Sequence, residues 1–155
     1  MSLGFVINVM RESRLAMVFA PGMLPPQPAG WSPRLDANKS ERGGQRFTLS
    51  VKGVVCSEGV AARHAMDAAR AMAEMKAILA ATQYRVWKAS PPDLQHDCDL
   101  ANQVWNSGTT LTLGLPLEER EFTGRSRTLE SETQLPVDPG LFRVPEGLAQ
   151  VNAPS

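Results

Sequence analysis

The chain has 155 residues, 43% hydrophobic and 21% charged, a composition that suits one domain with a buried core. Lys and Arg number 16 and Asp and Glu also number 16, so the basic excess of a broad nucleic-acid surface is missing and no sequence-specific nucleic acid is expected as partner. No apolar run approaches the roughly 18 residues of a bilayer span, and no membrane partner is expected.

Residues 4–10 (GFVINVM) and 14–20 (RLAMVFA) are short β-like runs, with Arg11, Glu12 and Ser13 between them as a hairpin turn. Phe5, Ile7 and Val9 share one face of the first run; Leu15, Met17 and Phe19 share one face of the second. A continuous helix is the alternative, because short apolar runs are ambiguous. The apolar stretch beginning at Leu3 lacks a preceding basic region and is broken by Arg11, Glu12 and Arg14, unlike a signal peptide. The expectation is a soluble protein made in the cytoplasm.

Residues 21–44 form a long connection with five prolines, which oppose regular pairing and favour extended backbone. A loop of this length inside a domain is uncommon and usually functional or mobile. Met23, Leu24, Trp31 and Leu35 are apolar within it and need a surface, either this chain's own body or a neighbouring subunit. The run 45–56 (QRFTLSVKGVVC) alternates, with Phe47, Leu49, Val51 and Val55 on one side, and reads as one strand of a half-buried sheet. Gly53 within it marks a bulge or a close backbone approach. Cys56 at its end reads as a buried free thiol, since two cysteines, Cys56 and Cys98, do not make a secreted disulfide framework.

The spacing then predicts a helix over 58–82 (EGVAARHAMDAARAMAEMKAILAAT). Ala61, Ala65, Ala68, Met72, Met75 and Leu79 recur at steps of three and four and line one face. Arg63 with Asp67 and Arg70 with Glu74 are opposite charges four residues apart. Ser57 is the expected N-cap, and Glu58 suits the first turn. Ten alanines in the stretch make the helix easy to form and slim, so that a sheet or another chain can approach closely.

After it, 84–89 (YRVWKA) reads as a short strand, and a short helix is expected from Asp97 or Asp99 towards Trp105. Residues 109–117 (TTLTLGLPL) alternate without a fault, with Leu111, Leu113, Leu115 and Leu117 on one side. The stretch 120–136 is either a polar strand or an extended arm, and the tail 138–155 reads as an extended segment resting on something. The expected architecture is a single α+β domain over 1–155: a largely antiparallel sheet, one long Ala-rich helix on a face, a Pro-rich loop at 21–44 and a C-terminal arm at 138–155.

No catalytic, cofactor or metal motif emerges. His96, Asp97, Cys98 and Asp99 cluster, but with Cys56 and His64 their spacing fits no zinc pattern, and the cluster reads as a polar loop entering a helix. His96 and Cys98 lack an orienting group or oxyanion hole for nucleophilic catalysis. Phosphate-binding Gly-rich loops, a nucleophile elbow and H-E-x-x-H are absent. Glu118 and Glu119 are expected to point apart into solvent from a turn. The expectation is a protein that is not an enzyme, with no catalytic, cofactor-binding or metal residues and no cofactor.

The order strand, Ala-rich helix, strand and strand, carried by RFTLSVKGVV (46–55), the helix, YRVWKA and TTLTLGLPL, resembles structural proteins of tailed-bacteriophage tails and necks: tail-terminator, tail-tube and distal-tail proteins. The resemblance covers about half the chain. It implies a non-catalytic subunit of a ring in a virion, made in the host cytoplasm, with copies of itself and other virion proteins as partners. Trp31, Leu24, Leu35, Phe142 and Leu148 are the expected assembly contacts. The alternative from a different class is a stand-alone α+β small-ligand-binding domain or enzyme with a site assembled from scattered residues.

Overall fold

The structure, a computed structural model, describes residues 4–39 and 43–154. Leu3, residues 40–42 of the Pro-rich stretch and Ser155 of the arm lie outside the described residues. The architecture is α+β, with two mostly antiparallel sheets and one long helix.

The N-terminal runs form the expected hairpin, β1 (Val6–Met10) antiparallel to β2 (Leu15–Phe19), with Asn8 opposite Met17. Arg14, at φ 52°, supplies the left-handed residue of the turn. The Pro-rich stretch is not loop throughout. Its end forms β3 (Pro33–Lys39), which pairs along its whole length with β4 (Gln45–Val51). Phe47, Leu49 and Val51 of β4 are buried, as their alternation requires.

The expected single strand over 45–56 is two strands. β4 turns at Lys52 and Gly53 into β5 (Val54–Ala62), and both turn residues have positive φ, 52° and 79°. Left-handed geometry at two successive residues is what a tight two-residue hairpin demands, because it matches the twist of the flanking strands. Gly53 is therefore a turn residue rather than a bulge, and Val55, expected inside, is half-exposed beyond the turn.

β5 runs through residues assigned to the helix by pattern. Ser57, the expected N-cap, is buried in this strand. Small residues make the strand possible. At Gly59 the backbone of Glu118 approaches so closely that a Cβ would overlap it. Helix α1 (Met66–Ala89) begins only after Ala65, a left-handed residue at φ 50°, and no side chain caps it. Arg63 lies outside the helix. The Arg70–Asp67 pair is 3.7 Å apart between exposed side chains and adds little.

The helix continues to Ala89, so YRVWKA is its last two turns and not a strand. Its buried residues are Ala69, Ile78, Ala80, Ala81 and Thr82, none of them on the expected face, of which Ala68 and Met75 are exposed and Met72 and Leu79 half-buried. Alanine on every side leaves periodicity little contrast to register, and close approach decides. A Cβ on Gly22 would meet the Ala81 Cβ at 2.9 Å, and one on Gly108 would meet the Ala73 Cβ at 3.3 Å. The expected slimness of the helix is used within this chain.

TTLTLGLPL also divides. Residues Thr110–Leu113 form a 3-10 turn, Gly114 adopts φ 122°, and β6 (Leu115–Glu121) follows, antiparallel to β5. The β-friendly alternation is overridden because Leu111 is needed beneath the helix. β7 (Ser126–Thr128) pairs with β6, completing a five-stranded antiparallel sheet in the order β3-β4-β5-β6-β7. The arm returns to add β8 (Ala149–Asn152) parallel to β2, giving a second sheet in the order β1-β2-β8. Helix α1 packs against both sheets, touching β1, β2 and β6.

Cys56 is not a free thiol. It forms a disulfide with Cys98, 42 residues away, which ties β5 to the short helix α2 (Asp97–Leu100). Both cysteines are buried in a core with Trp31, Val51, Leu100, Ala101 and Val104.

Candidate functional site

The polar cluster around residue 96 performs structural work. The His96 Nδ1 accepts from the Cys98 amide at 3.0 Å and caps α2. Its ring stacks on Phe122 at 4.4 Å, and its carbonyl accepts from the Trp87 indole N–H at 3.0 Å. Partial burial raises the Asp99 carboxyl above its ordinary pKa, with His96 opposing. Among the described residues no group of three or more His, Cys, Asp and Glu side chains gathers in a form that could hold a metal.

The five expected assembly contacts fall into different environments. Trp31 is 2% exposed and belongs to this chain's own core. Its ring meets Trp105 edge-on at 5.0 Å, its N–H donates to Asn106 Oδ1 at 2.9 Å, and the Lys52 ammonium lies 5.5 Å from its centroid. The reason lies in a π-helical turn, Ala101–Trp105, that follows α2 and closes with Asn106 N–H donating to the Ala101 carbonyl. This turn directs Asn102 onto the Cys56 carbonyl at 3.1 Å and the Trp105 N–H onto the Pro25 carbonyl at 3.0 Å. The Pro-rich stretch is thus fastened to its own domain. Leu24 packs on the same core, and Trp31 has no surface left for a neighbour, which corrects the expectation for that residue. Leu35 is half-buried opposite Leu49, Leu148 is half-buried, and Phe142 is 80% exposed.

Phe142 has company that the expected contact set omitted. Leu135, Val137 and Leu141 are each 78% exposed. The segment carrying them is held at both ends. His64 Nε2 meets Glu132 Oε2 at 2.8 Å before it, and β8 pairs with β2 after it. The His64 Nδ1 is buried without a hydrogen-bond partner, so the ring is placed to donate through Nε2 to the carboxylate. Apolar letters in the arm were visible in the sequence; that all four side chains turn outward was not.

A second feature lies where α1, β6 and β7 meet. A cavity of about 210 Å3 is lined by Met72, Leu111, Leu115, Pro116 and Leu129, with Lys76 beside it. At its rim Arg127 Nη2 bonds Glu119 Oε1 at 2.6 Å and Glu121 Oε1 at 3.1 Å, and both carboxylates are largely buried. Glu119 is therefore a strand residue gripped by arginine, not a solvent-facing turn residue as expected. Burial lowers the Lys76 pKa from its ordinary value; Glu119 opposes the fall, Arg127 adds to it and Glu121 opposes it. The cavity offers apolar volume beside a cluster of two cations, Lys76 and Arg127, and two carboxylates, Glu119 and Glu121.

Among the described residues no helix is long and apolar enough to cross a membrane. No protein family, curated protein or solved structure matches the chain.

Proposed function

We propose that this chain is a structural subunit of a phage-like particle, a homo-oligomer arranged as a ring around a tail or neck, with its C-terminal arm lying on neighbouring copies. The observation that carries this reading is the outward row Leu135, Val137, Leu141 and Phe142, 78–80% exposed on a segment fixed at both ends. Ordering backbone costs about 1–2 kcal/mol per residue, and burying a large apolar side chain returns roughly 1.5–3 kcal/mol. In this arm the side chains that would offset ordering face solvent, so a neighbour's surface is the natural place for them. Closed symmetry repeats such a contact around a ring. The Cys56–Cys98 disulfide fits a particle that leaves the reducing cytoplasm in which it is made.

The test is light scattering and negative-stain microscopy on the purified full chain, beside the variant Leu135→Ser/Val137→Ser/Leu141→Ser/Phe142→Ser. Wild type is expected as rings whose mass is a multiple of 16.8 kDa, and the variant as folded monomers. Wild type that stays monomeric at micromolar concentration sinks the proposal. The virion assignment is tested separately by the neighbouring genes, which should encode other virion parts.

The alternative, a small-ligand-binding domain, draws support from the cavity beside Lys76. It would be favoured by a monomeric protein whose melting temperature rises with a small apolar ligand.

A further inference from the structure

The two sheets treat their free edges differently. A free edge presents unpaired N–H and C=O groups, and folded proteins blunt such edges with proline, charge or short length. The five-stranded sheet does so on both sides. β3 carries Pro33, Arg34, Asp36 and Lys39, and β7 is three residues long and contains Arg127. The three-stranded sheet does not. Its strands read VINVM, LAMVF and AQVN, without a charged residue or a proline in any of them. Its outer strands are β1 and β8, and among the described residues neither has a partner on its outer side. Ile7 and Asn8 are exposed on β1, and all four residues of β8 are exposed.

β8 is the more telling strand. It buries nothing of itself, so packing does not account for its place. What it does is convert the β2 edge of the hairpin into a new edge of the same uncharged kind. Each molecule then offers two open edges on one sheet, one from the N-terminal hairpin and one from the end of the arm. Alternate residues of each strand point their backbone groups outward, so both edges have donors and acceptors to give. Neither has a charge to desolvate or to repel the other, and each copy of the chain brings both.

We propose that β1 of one copy pairs with β8 of the next, continuing the three-stranded sheet from subunit to subunit. The occupant of each edge is a second copy of this chain, joined head to tail, as a ring requires. The proposal rests on the ring reading above and adds the joint that closes it. The same arm supplies the apolar row 135–142 and the strand β8, so arm burial and strand addition engage together.

A charge swap tests the joint. Asn8→Lys places on β1 the charge that natural edge strands use to stop pairing. Asn8 is exposed, so the monomer should fold, which circular dichroism and the melting temperature will check. The expected result is a dissociation constant raised by about two- to fivefold at each interface, compounded around a ring. Adding Gln150→Glu or Val151→Glu, which point to opposite faces of β8, should restore assembly in at least one double variant whatever the register. Asn8→Lys that assembles like wild type overturns the edge joint and leaves the ring reading intact. Asn8→Lys that dissociates without rescue by either glutamate overturns the β1–β8 pairing in favour of another use of β1. Wild type that is monomeric throughout removes the ring reading, and the joint with it.

Discussion

Reducing the Cys56–Cys98 disulfide removes a constraint whose size follows from the chain. The bond closes a loop of 42 residues containing all of α1. In the chain-entropy treatment the unfolded ensemble loses 2.1 plus 1.5R ln n in entropy, which for this loop comes to about 13 cal/mol/K, or about 4 kcal/mol at 25 °C. At about 2–4 °C per kcal/mol for a chain of this size, the melting temperature should fall by roughly 8–16 °C. The assay is urea unfolding followed by tryptophan fluorescence, with and without reductant, beside Cys56→Ala/Cys98→Ala. Both cysteines are buried, so reduction should be slow in the folded protein and fast once it is unfolded in urea. The double variant should match the reduced protein to within about 1 kcal/mol, since it trades two sulfur atoms for a small void. A reduced protein that unfolds within about 1 kcal/mol of the oxidised one would refute the reasoning. So would native protein that takes up two equivalents of a thiol reagent on unfolding without prior reduction.

Three further outcomes are expected. Gly59→Ala forces a methyl group into the Glu118 backbone and should cost about 2–3 kcal/mol by opening β5 from β6; a loss under about 0.5 kcal/mol would show that the strands do not approach there. Trp31→Ala removes a core indole and leaves Asn106 without its donor, so denaturant unfolding should show a loss of about 3–5 kcal/mol, against little change if Trp31 served a neighbour. Lys76 holds a pKa below its ordinary 10.5, so between its folded value and 10.5 the unfolded chain binds more protons and stability rises with pH across that window. Lys76→Met should remove that alkaline rise while leaving the acid side of the profile unchanged, as read by melting temperature against pH.

Existence of the elements was more legible than their limits. β4 was readable because large apolar and polar residues alternate in it, and Phe47, Leu49 and Val51 are inside, whereas β1 and β2 were readable as short apolar runs on either side of a polar turn. The helix was readable as a helix, but its start was not, because Glu58 to Ala62 suits a strand once Gly59 admits the β6 backbone. Its end was missed because Tyr84, Val86 and Trp87 favour strands in isolation, while Tyr84 and Trp87 continue the inward seam of the helix. The turn at Lys52–Gly53 lacks the Asn-Gly or Asp-Gly signal, so one long strand was the simpler reading. Pairing of two cysteines separated by 42 residues leaves no local mark at all. For the candidate site, Phe142 was legible as an arm residue that stays outside its own domain. Trp31 was legible as needing a surface but not as to which one, because the partners that bury it, Trp105 and Asn106, are 74 and 75 residues away and are aimed by a π turn that no local pattern announces.

The finished and unfinished parts of the molecule divide along α1. Its C-terminal half, through Tyr84 and Trp87, rests on the core that holds the disulfide. There Trp31, Trp87 and Trp105 all have acceptors for their indole N–H groups, and the Pro-rich stretch is fastened by two of them. Its N-terminal half, through Met72 and Lys76, faces the open cavity at β6 and β7. The arm leaves that region past Leu129 and Glu132, carries its apolar row outward, and ends as a strand held to β2 by backbone pairing. Buried hydrogen bonds and a cross-link make a body that keeps its shape alone. Exposed apolar side chains and uncharged sheet edges make surfaces that gain by being covered. On the proposed ring reading, this segregation onto different elements would let the body fold first and leave the arm and the edges free for neighbouring copies.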